Sequence, residues 1–443
     1  MKIIKISLIS LSLIILSINT KGQDTIQTKK NVKTGWNLGA LPTVTYNTDL
    51  GLQYGALVNL YQYGNGDIYP KYYHSLYAEA SRYTKGSGIL RFFYDSKFLI
   101  PKIRFTADLS YLTEQALHFY GFNGYQAVYN KSWEDDSSNE YKTRIFYRHE
   151  RKALRGKIDF QGKTGIKNIN WVTGISLMNV NIATVNIDRL NKGKDGDEIL
   201  KDTNTLYDNY IAWGIISDKE KNGGFFTNLK AGVVYDSRDN EPNPMSGIWS
   251  EAVILQSFSN DFTFTKIAIT HRQYFTLIKN KLSLVYRLGY QGVIAGNAPF
   301  YALPYMVSSF TKSSNADGLG GSKTVRGMMR NRVVGEAVAY GNFEFRWKFA
   351  DFIFKKQNIY LALNPFMDLG QVVKEREIDK SNIPKTIDQS EYFNEGGDKL
   401  HITYGAGLHI AMNQNFIVAA DFGLPVNKQD GGLGVYIGLN FLF

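Results

Sequence analysis

The sequence predicts an all-β fold: a 16-stranded antiparallel transmembrane β-barrel with long extracellular loops, one of them folded into the lumen. Three observations predict it. The first is alternation. In the stretch Ala337–Phe349, Phe343, Phe345, Trp347 and Phe349 fall on one face, while Asn342, Glu344, Arg346 and Lys348 fall on the other. Successive side chains of a strand point to opposite faces, so such a strand is apolar outside and charged inside, which suits a wall between lipid and a wet lumen. The second is composition: aromatic residues make up 14% of the chain, yet mean hydropathy is −0.26. That pairing disfavours helical membrane spans and suits strands with aromatic girdles. The third is loop parity, which emerges when the strands are taken in order.

The chain opens with the basic stretch Met1–Lys5 and an uncharged apolar run from Ile6 to Ile18, followed by Thr20 and Gly22 at the small positions before Gln23. This reads as a secretory signal peptide, residues 1–22, because a spanning helix needs about 20 apolar residues. Residues 23–35 form a short periplasmic tail, and 36–443 form the barrel. No composition shift or Pro/Ser-rich linker divides the barrel. The chain has no cysteine, hence no disulfide and no lipid-anchoring thiol. Loss of Lys2, Lys5 and Lys21 lowers the formal charge from +11 to +8. The remaining basic residues are dispersed through strand-like segments, so lumen walls and acidic lipid headgroups account for them and no nucleic-acid partner is expected.

Two-residue periodicity marks sixteen strands. The first, Trp36–Tyr46, contains Pro42. The second, Gly51–Gln62, presents Leu52, Tyr54, Ala56, Val58 and Leu60 outward. Strands three to five fall near Tyr72–Tyr83, Gly88–Asp95 and Lys102–Thr113. Six and seven are near Lys152–Gly162 and Asn168–Val185, eight and nine near Phe225–Asp236 and Ile248–Phe258. In the tenth, Phe262–Phe275, the alternation slips and a bulge is expected. The eleventh, Lys281–Ile294, turns Arg287 and Gln291 inward, and the twelfth is the stretch described above. The last four are near Gln357–Gly370, His401–Ala411, Asn415–Phe422 and Gly432–Phe443, the final one with Val435, Ile437, Leu439 and Phe441 outward. The long connections Glu114–Arg151, Asn186–Gly224, Ala295–Val334 and Gln371–Leu400 all follow odd-numbered strands, which places them on one side, the outside.

The connection before the twelfth strand carries Gly318-Leu-Gly-Gly-Ser-Lys-Thr-Val-Arg-Gly327. With Val234-Tyr-Asp-Ser-Arg-Asp-Asn240, Asn364-Pro-Phe-Met-Asp-Leu-Gly-Gln-Val372, Tyr404-Gly-Ala-Gly-Leu408 and the terminal Phe443, it resembles the outer-membrane assembly-factor superfamily: BamA/TamA, two-partner secretion transporters and bacterial surface antigen barrels. The five motifs span roughly residues 230–443, each at the strand number where that family carries it. The resemblance implies that Arg326 reaches down the lumen to carboxylates at Glu344 and Asp368. Both lie on inward faces, and a guanidinium in a partly dry lumen needs such partners. Gly320, Gly321 and Gly327 let the loop turn against the wall. Phe443 matches the terminal insertion signal of outer-membrane barrels.

Better-known members of that family carry periplasmic POTRA modules, and the tail of residues 23–35 is too short for one. The resemblance is therefore to a barrel-only branch, in which a separate periplasmic or outer-membrane partner would supply substrate capture. Pro42 lacks an amide donor and belongs at an edge or a bulge. Together with Gly438 and Phe441 it outlines a weakly paired seam between first and last strands, where an open edge can template an incoming strand.

Other chemistry finds little footing. Gly318–Thr324 lacks phosphate-loop spacing and is followed by a strand. Histidines 74, 118, 149, 271, 401 and 409 show no metal-ligand spacing, and no nucleophile elbow is present. No cofactor, metal or enzymatic step is expected. By the resemblance to the assembly factors, the expected work is insertion or secretion of other proteins at the outer membrane of a Gram-negative bacterium, with lipids and client proteins as partners and a homodimer open. A passive pore or surface interaction barrel is the alternative, and an outer-membrane hydrolase a third.

Overall fold

The computed structural model describes residues 32–443 except 70, 242, 310–316, 355–356, 413–415 and 440. The predicted signal peptide, and most of the tail, lie outside the described residues. β1 (Trp36–Asn47), β2 (Gly51–Gln62), β3 (His74–Tyr83), β4 (Gly88–Ile100) and β5 (Ile103–His118) are followed by β6 (Arg148–Lys163), β7 (Ile169–Ala183), β8 (Gly223–Asp236) and β9 (Gly247–Phe258). β10 (Thr263–Ile278), β11 (Leu282–Gly296), β12 (Ala337–Phe354), β13 (Gln357–Lys374), β14 (His401–Met412), β15 (Phe416–Pro425) and β16 (Gly434–Leu439) complete the wall. Each strand pairs antiparallel with its chain neighbour, and β16 returns to β1, closing a 16-stranded barrel. No helix among the described residues is long and apolar enough to cross a membrane. The crossing elements are the strands.

The alternation that predicts the strands is the alternation of the wall. In β12, Asn342, Glu344 and Arg346 are buried inward, while Phe345, Trp347 and Phe349 are 48%, 49% and 44% exposed outward. Leu109, Leu154, Ile175, Leu229, Ile254 and Ile269 continue the outward apolar surface around the barrel. Removed from water by lipid, these side chains cost nothing, and closure leaves the ladder amides satisfied within the wall. The expected slip in β10 takes the form of register shifts against β11 at Thr265/Lys266 and Thr276/Ile278. Lys266 keeps the inward phase of Phe264 and Ala268, and its Nζ donates to the carbonyls of Ala302, Leu303 and Tyr305 at 3.1, 3.0 and 2.9 Å.

Long connections 119–147, 184–222, 297–336 and 375–400 all leave the same end of the barrel. They do not splay. Phe119, Trp133, Tyr207, Tyr210, Phe300 and Phe393 from all four pack into one buried cluster over the mouth. Two short helices, α1 (Ile187–Asn191) and α2 (Leu206–Ala212), stiffen the second of them. α2 starts with a capping box in which Thr205 and Asp208 satisfy each other's backbone amides. The main hydrophobic core is therefore a lid built of loops, with the barrel as its frame.

Several strands extend beyond their predicted ends. β5 continues to His118 and β6 begins at Arg148, so the first long connection is shorter than expected. Glu114, expected to open the first long connection, instead faces inward on β5 as an ion-pair acceptor for Arg151 at 2.6 Å. The carboxyl terminus requires a correction. β16 ends at Leu439, and Phe441 does not point outward. It packs inside against Tyr360, Ala362, Ala411 and Ile417.

Candidate functional site

The connection 297–336 dips into the lumen as a hairpin closed by a bridge between Leu319 and Val333. Leu319, Val325, Met328 and Val333 are buried with Val338 of β12 and Val372 of β13, which seats the loop on that wall. Within it, the Gly320 amide donates to Thr324 Oγ1 at 2.9 Å and the Thr324 hydroxyl donates to the Gly320 carbonyl at 3.0 Å. Gly320, Gly321 and Gly327 have φ of +114°, +77° and +88°, a region that side chains with a Cβ rarely enter.

The structure brings the predicted latch residues together. Arg326 is fully buried, with Nε and Nη2 donating to Asp368 Oδ2 and Oδ1 at 2.9 and 3.0 Å. The Arg326 amide donates to the same carboxylate at 3.0 Å. Nη1 pairs with Glu344 Oε1 at 2.8 Å, and the guanidinium lies 3.6 Å from the centre of the Phe366 ring. Burial works against the charge, but Asp368 and Glu344 outweigh it and hold this guanidinium above the ordinary arginine range. Behind it the backbone runs along glycine. A Cβ on Gly327 would lie 2.6 Å from the Gly423 carbonyl carbon of β15, so the tip sits directly on the wall.

Sequence reasoning missed four parts of this anchorage. Asp421 of β15 is a third carboxylate, 3.5 Å from Arg326 Nη1, and its other oxygen meets His409 Nε2 of β14 at 2.9 Å. Arg330 Nε donates to Asp317 Oδ2 at 2.8 Å, and its Nη2 donates to Glu114 of β5. Arg151 of β6 joins the same two carboxylates. Arg332 donates to the carbonyls of Gln429, Gly124 and Ala127 at 2.7, 2.9 and 2.9 Å. The signal was present: three arginines within Arg326–Arg332, and carboxylates at Glu114 and Asp421 in or beside the predicted strands.

The loop also spans the join between β1 and β16. On the β1 side, Asn47 Nδ2 donates to Ser322 Oγ at 3.1 Å and the Arg330 amide donates to Asp49 Oδ1 at 3.2 Å. On the β16 side, the Gly327 amide donates to the Tyr436 hydroxyl at 3.1 Å, and the Met329 amide to the Asp430 carbonyl at 2.9 Å. Between the strands themselves, the registered pairs are Tyr46 with Ile437 and Asn47 with Tyr436. The Thr48 amide donates a further hydrogen bond to the Val435 carbonyl at 3.0 Å. Pro42 lies in the length of β1 that pairs with β2, opposite Ala56, and faces no registered β16 residue. Gly438 is the second-last residue of β16, opposite Ala419 of β15.

Beyond β16 the tail turns into the lumen because arginines receive it. Arg346 Nη2 donates to the Phe443 carbonyl at 2.8 Å, and its guanidinium stands 4.3 Å from the Phe441 ring centre. Phe443 rests on Tyr274 and Val285. Ring–guanidinium contact in a desolvated setting is worth about 2 kcal/mol, which a strand position facing lipid would forgo. Among the described residues no histidine–carboxylate group could hold a metal ion.

The Omp85 superfamily domain matches residues 75–443. BamA from Haemophilus ducreyi lacking POTRA domains 1–3 is similar in fold, with a TM-score of 0.51 at 13% identity over 92% of this chain and 71% of that one. CdiB from Acinetobacter baumannii aligns at 12% identity with a TM-score of 0.42, over 92% of this chain and 60% of that one. No curated protein matches the chain. The family match runs from the third strand to the last residue, over the latch loop and the strands β12, β13 and β15 that hold Arg326: the chain belongs to the Omp85 superfamily.

Proposed function

We propose that this protein resides in the outer membrane of a Gram-negative bacterium and inserts or translocates other proteins there, without an enzymatic step. The observation that carries the reading is the seam. Among the described residues only the outer end of β1 is registered against β16, and the latch loop bonds to both sides of that short join. The rest of β1 is an edge, and an edge with unpaired backbone groups is a template for an incoming strand. Arg326 holds the loop in place, so its release and the opening of the seam are coupled in this reading. Client outer-membrane or secreted proteins would arrive from the periplasm through a partner that captures them. Phe443 would serve as this chain's own insertion signal.

The test is quantitative outer-membrane proteomics on cells lacking the protein, complemented with wild type, Arg326→Glu, or Arg326→Glu with Asp368→Arg. A defined set of surface or barrel proteins should fall with the single variant and partly recover with the double. An unchanged proteome in the deletion strain would sink the assembly role. Loss without recovery in the double variant would sink the coupling of the latch to it.

A further inference from the structure

At the end of the barrel opposite the long connections, four turns share a composition. Where β4 meets β5 the sequence is Phe98-Leu-Ile-Pro-Lys102, and between β6 and β7 it is Lys163-Thr-Gly-Ile-Lys167. Between β10 and β11 it is Leu277-Ile-Lys-Asn-Lys281. β12 ends in Phe352-Ile-Phe354, and Lys355-Lys356, which lie outside the described residues, follow in the sequence. The tips are apolar and open: Leu99, Ile166, Leu277, Ile278, Phe352 and Ile353 are all exposed, Ile166 at 65%.

Plain alternation does not produce such tips. Three of these hairpins shift register at this end: between Ser96 and Ile100, Thr276 and Ile278, and Lys348 and Ala350. A bulge re-aims the side chains around it. Here it leaves Phe98 exposed beside Leu99 and Leu277 beside Ile278, where strict alternation would turn one of each pair into the lumen. The lysines are a second observation. Lys102, Lys163, Lys167, Lys279 and Lys281 are exposed, and their three turns contain no Asp or Glu. Lys97 differs, because Glu241 of the β8–β9 turn stands 3.9 Å from it. The opposite mouth has the reverse balance. Connections 119–147, 184–222 and 375–400 each hold more carboxylates than lysines and arginines.

We propose that this rim seats itself in a leaflet of anionic phospholipid, with the apolar tips in the acyl boundary and the lysines at the headgroup phosphates. Exposed apolar groups rimmed by charge mark an interaction surface. Its layout favours lipid over an acidic protein. The tips continue the outward belt of the strands, and they lie on two arcs, β4–β7 and β10–β13, parted by the β8–β9 turn with Asp239 and Glu241. A surface that follows the wall fits an annulus of lipid. The inference rests on the outer-membrane reading above, which turns this end toward the periplasm.

Two tryptophans serve as reporters. Trp171 is registered opposite Gly162, next to Lys163, and Trp347 opposite Leu282, next to Lys281. The full-length protein is reconstituted into phosphatidylcholine vesicles in which brominated phosphatidylcholine or brominated phosphatidylglycerol replaces a rising share of the lipid, and tryptophan quenching is read. A lysine at an anionic surface contributes roughly a fivefold preference. Wild type should therefore favour phosphatidylglycerol by at least about fivefold, less so at high salt. Lys102→Gln, Lys163→Gln, Lys167→Gln, Lys279→Gln and Lys281→Gln together should abolish the preference. Lys131→Gln, Lys192→Gln, Lys219→Gln, Lys385→Gln and Lys399→Gln, in the loops of the other mouth, should leave it intact. All ten lysines are exposed, so both variants should fold as heat-modifiable barrels. Equal quenching by the two lipids in wild type, a preference that survives the rim substitutions, or one that falls equally in the control would overturn the proposal. Loss of client assembly in the rim variant without any lipid preference in wild type would overturn it too, and assign the rim to an acidic protein. Quenching needs no client, so its failure leaves the proteomics test untouched, and an unchanged proteome leaves the lipid preference standing.

Discussion

Gly423 shows how a residue without a side chain sets the position of one that has the most. It lies in β15, faces the lumen, and allows the backbone of Arg326 and Gly327 to rest against the wall. A Cβ there would stand 2.8 Å from the Gly327 nitrogen and 2.9 Å from the Arg326 carbonyl carbon. Unlike Gly327, it is not held at positive φ, so Gly423→Ala tests contact alone and leaves backbone preference untouched. Overpacking of this kind costs about 1–3 kcal/mol, and here the strain falls on the seated loop while the ladder between β14 and β15 is kept. The expected outcome is a folded, heat-modifiable barrel whose latch loop is cut sooner in limited proteolysis. Unaltered protection of residues 317–334 would show that the glycine contact does not position the latch. The guanidinium and two of its carboxylates were readable from motif and strand parity. Gly423 was not, since nothing in Ala419–Gly423 says that another segment's backbone lies on it.

The strand elements were legible because each lipid-facing side chain is paid for by its period, and the period of two is visible in almost every strand. Their ends were less so. Inward polar residues such as Glu114 and Arg148 look like loop sequence until the lumen supplies a partner for each. β16 failed in the opposite sense: Val435, Ile437 and Leu439 keep the outward phase, and the same phase carried on to Phe441 gives the wrong face. Arg287 of β11 and Arg346 of β12, which meet Phe443 and Phe441 inside, stand far upstream in sequence, beyond the reach of any periodicity. The short β1–β16 join that results makes a direct prediction. The chain has no cysteine, so Tyr46→Cys with Ile437→Cys introduces a single possible disulfide across a registered pair. Opposed residues in antiparallel strands lie within disulfide reach. The oxidised variant should retain the folded barrel and lose client assembly in cells, and a reductant should restore it. Full activity of the oxidised form would mean that the seam stays shut during the work.

At the scale of the whole molecule, the aromatic lid and the lumenal loop close the same passage, and ion pairs tie the loop to the wall. Arg330 is held by Asp317 and Glu114, and Arg151 of the wall joins both. Asp317 belongs to the loop. Burial pushes its carboxyl up, but Arg330 and Arg151 outweigh that and hold it below its ordinary value of 3.8. A carboxylate depressed in the folded state stabilises that state above the unfolded value and loses its contribution as the pH falls through the folded one. The plug should therefore stay closed at neutral pH and loosen only below about pH 3.8, where Asp317 gains a proton and Arg330 and Arg151 lose a partner. Breaking one side of a buried ion pair costs about 3–5 kcal/mol, enough to populate openings. Single-channel recording in planar bilayers checks this. Wild type should show low conductance at pH 7 and flickering openings on acidification, and Asp317→Asn should flicker already at pH 7. The neutral variant separates the loss of this one pair from the general protonation of lumenal carboxylates. A large, steady wild-type conductance at pH 7 would instead describe an open pore, and a silent Asp317→Asn would place the closure in the aromatic lid alone.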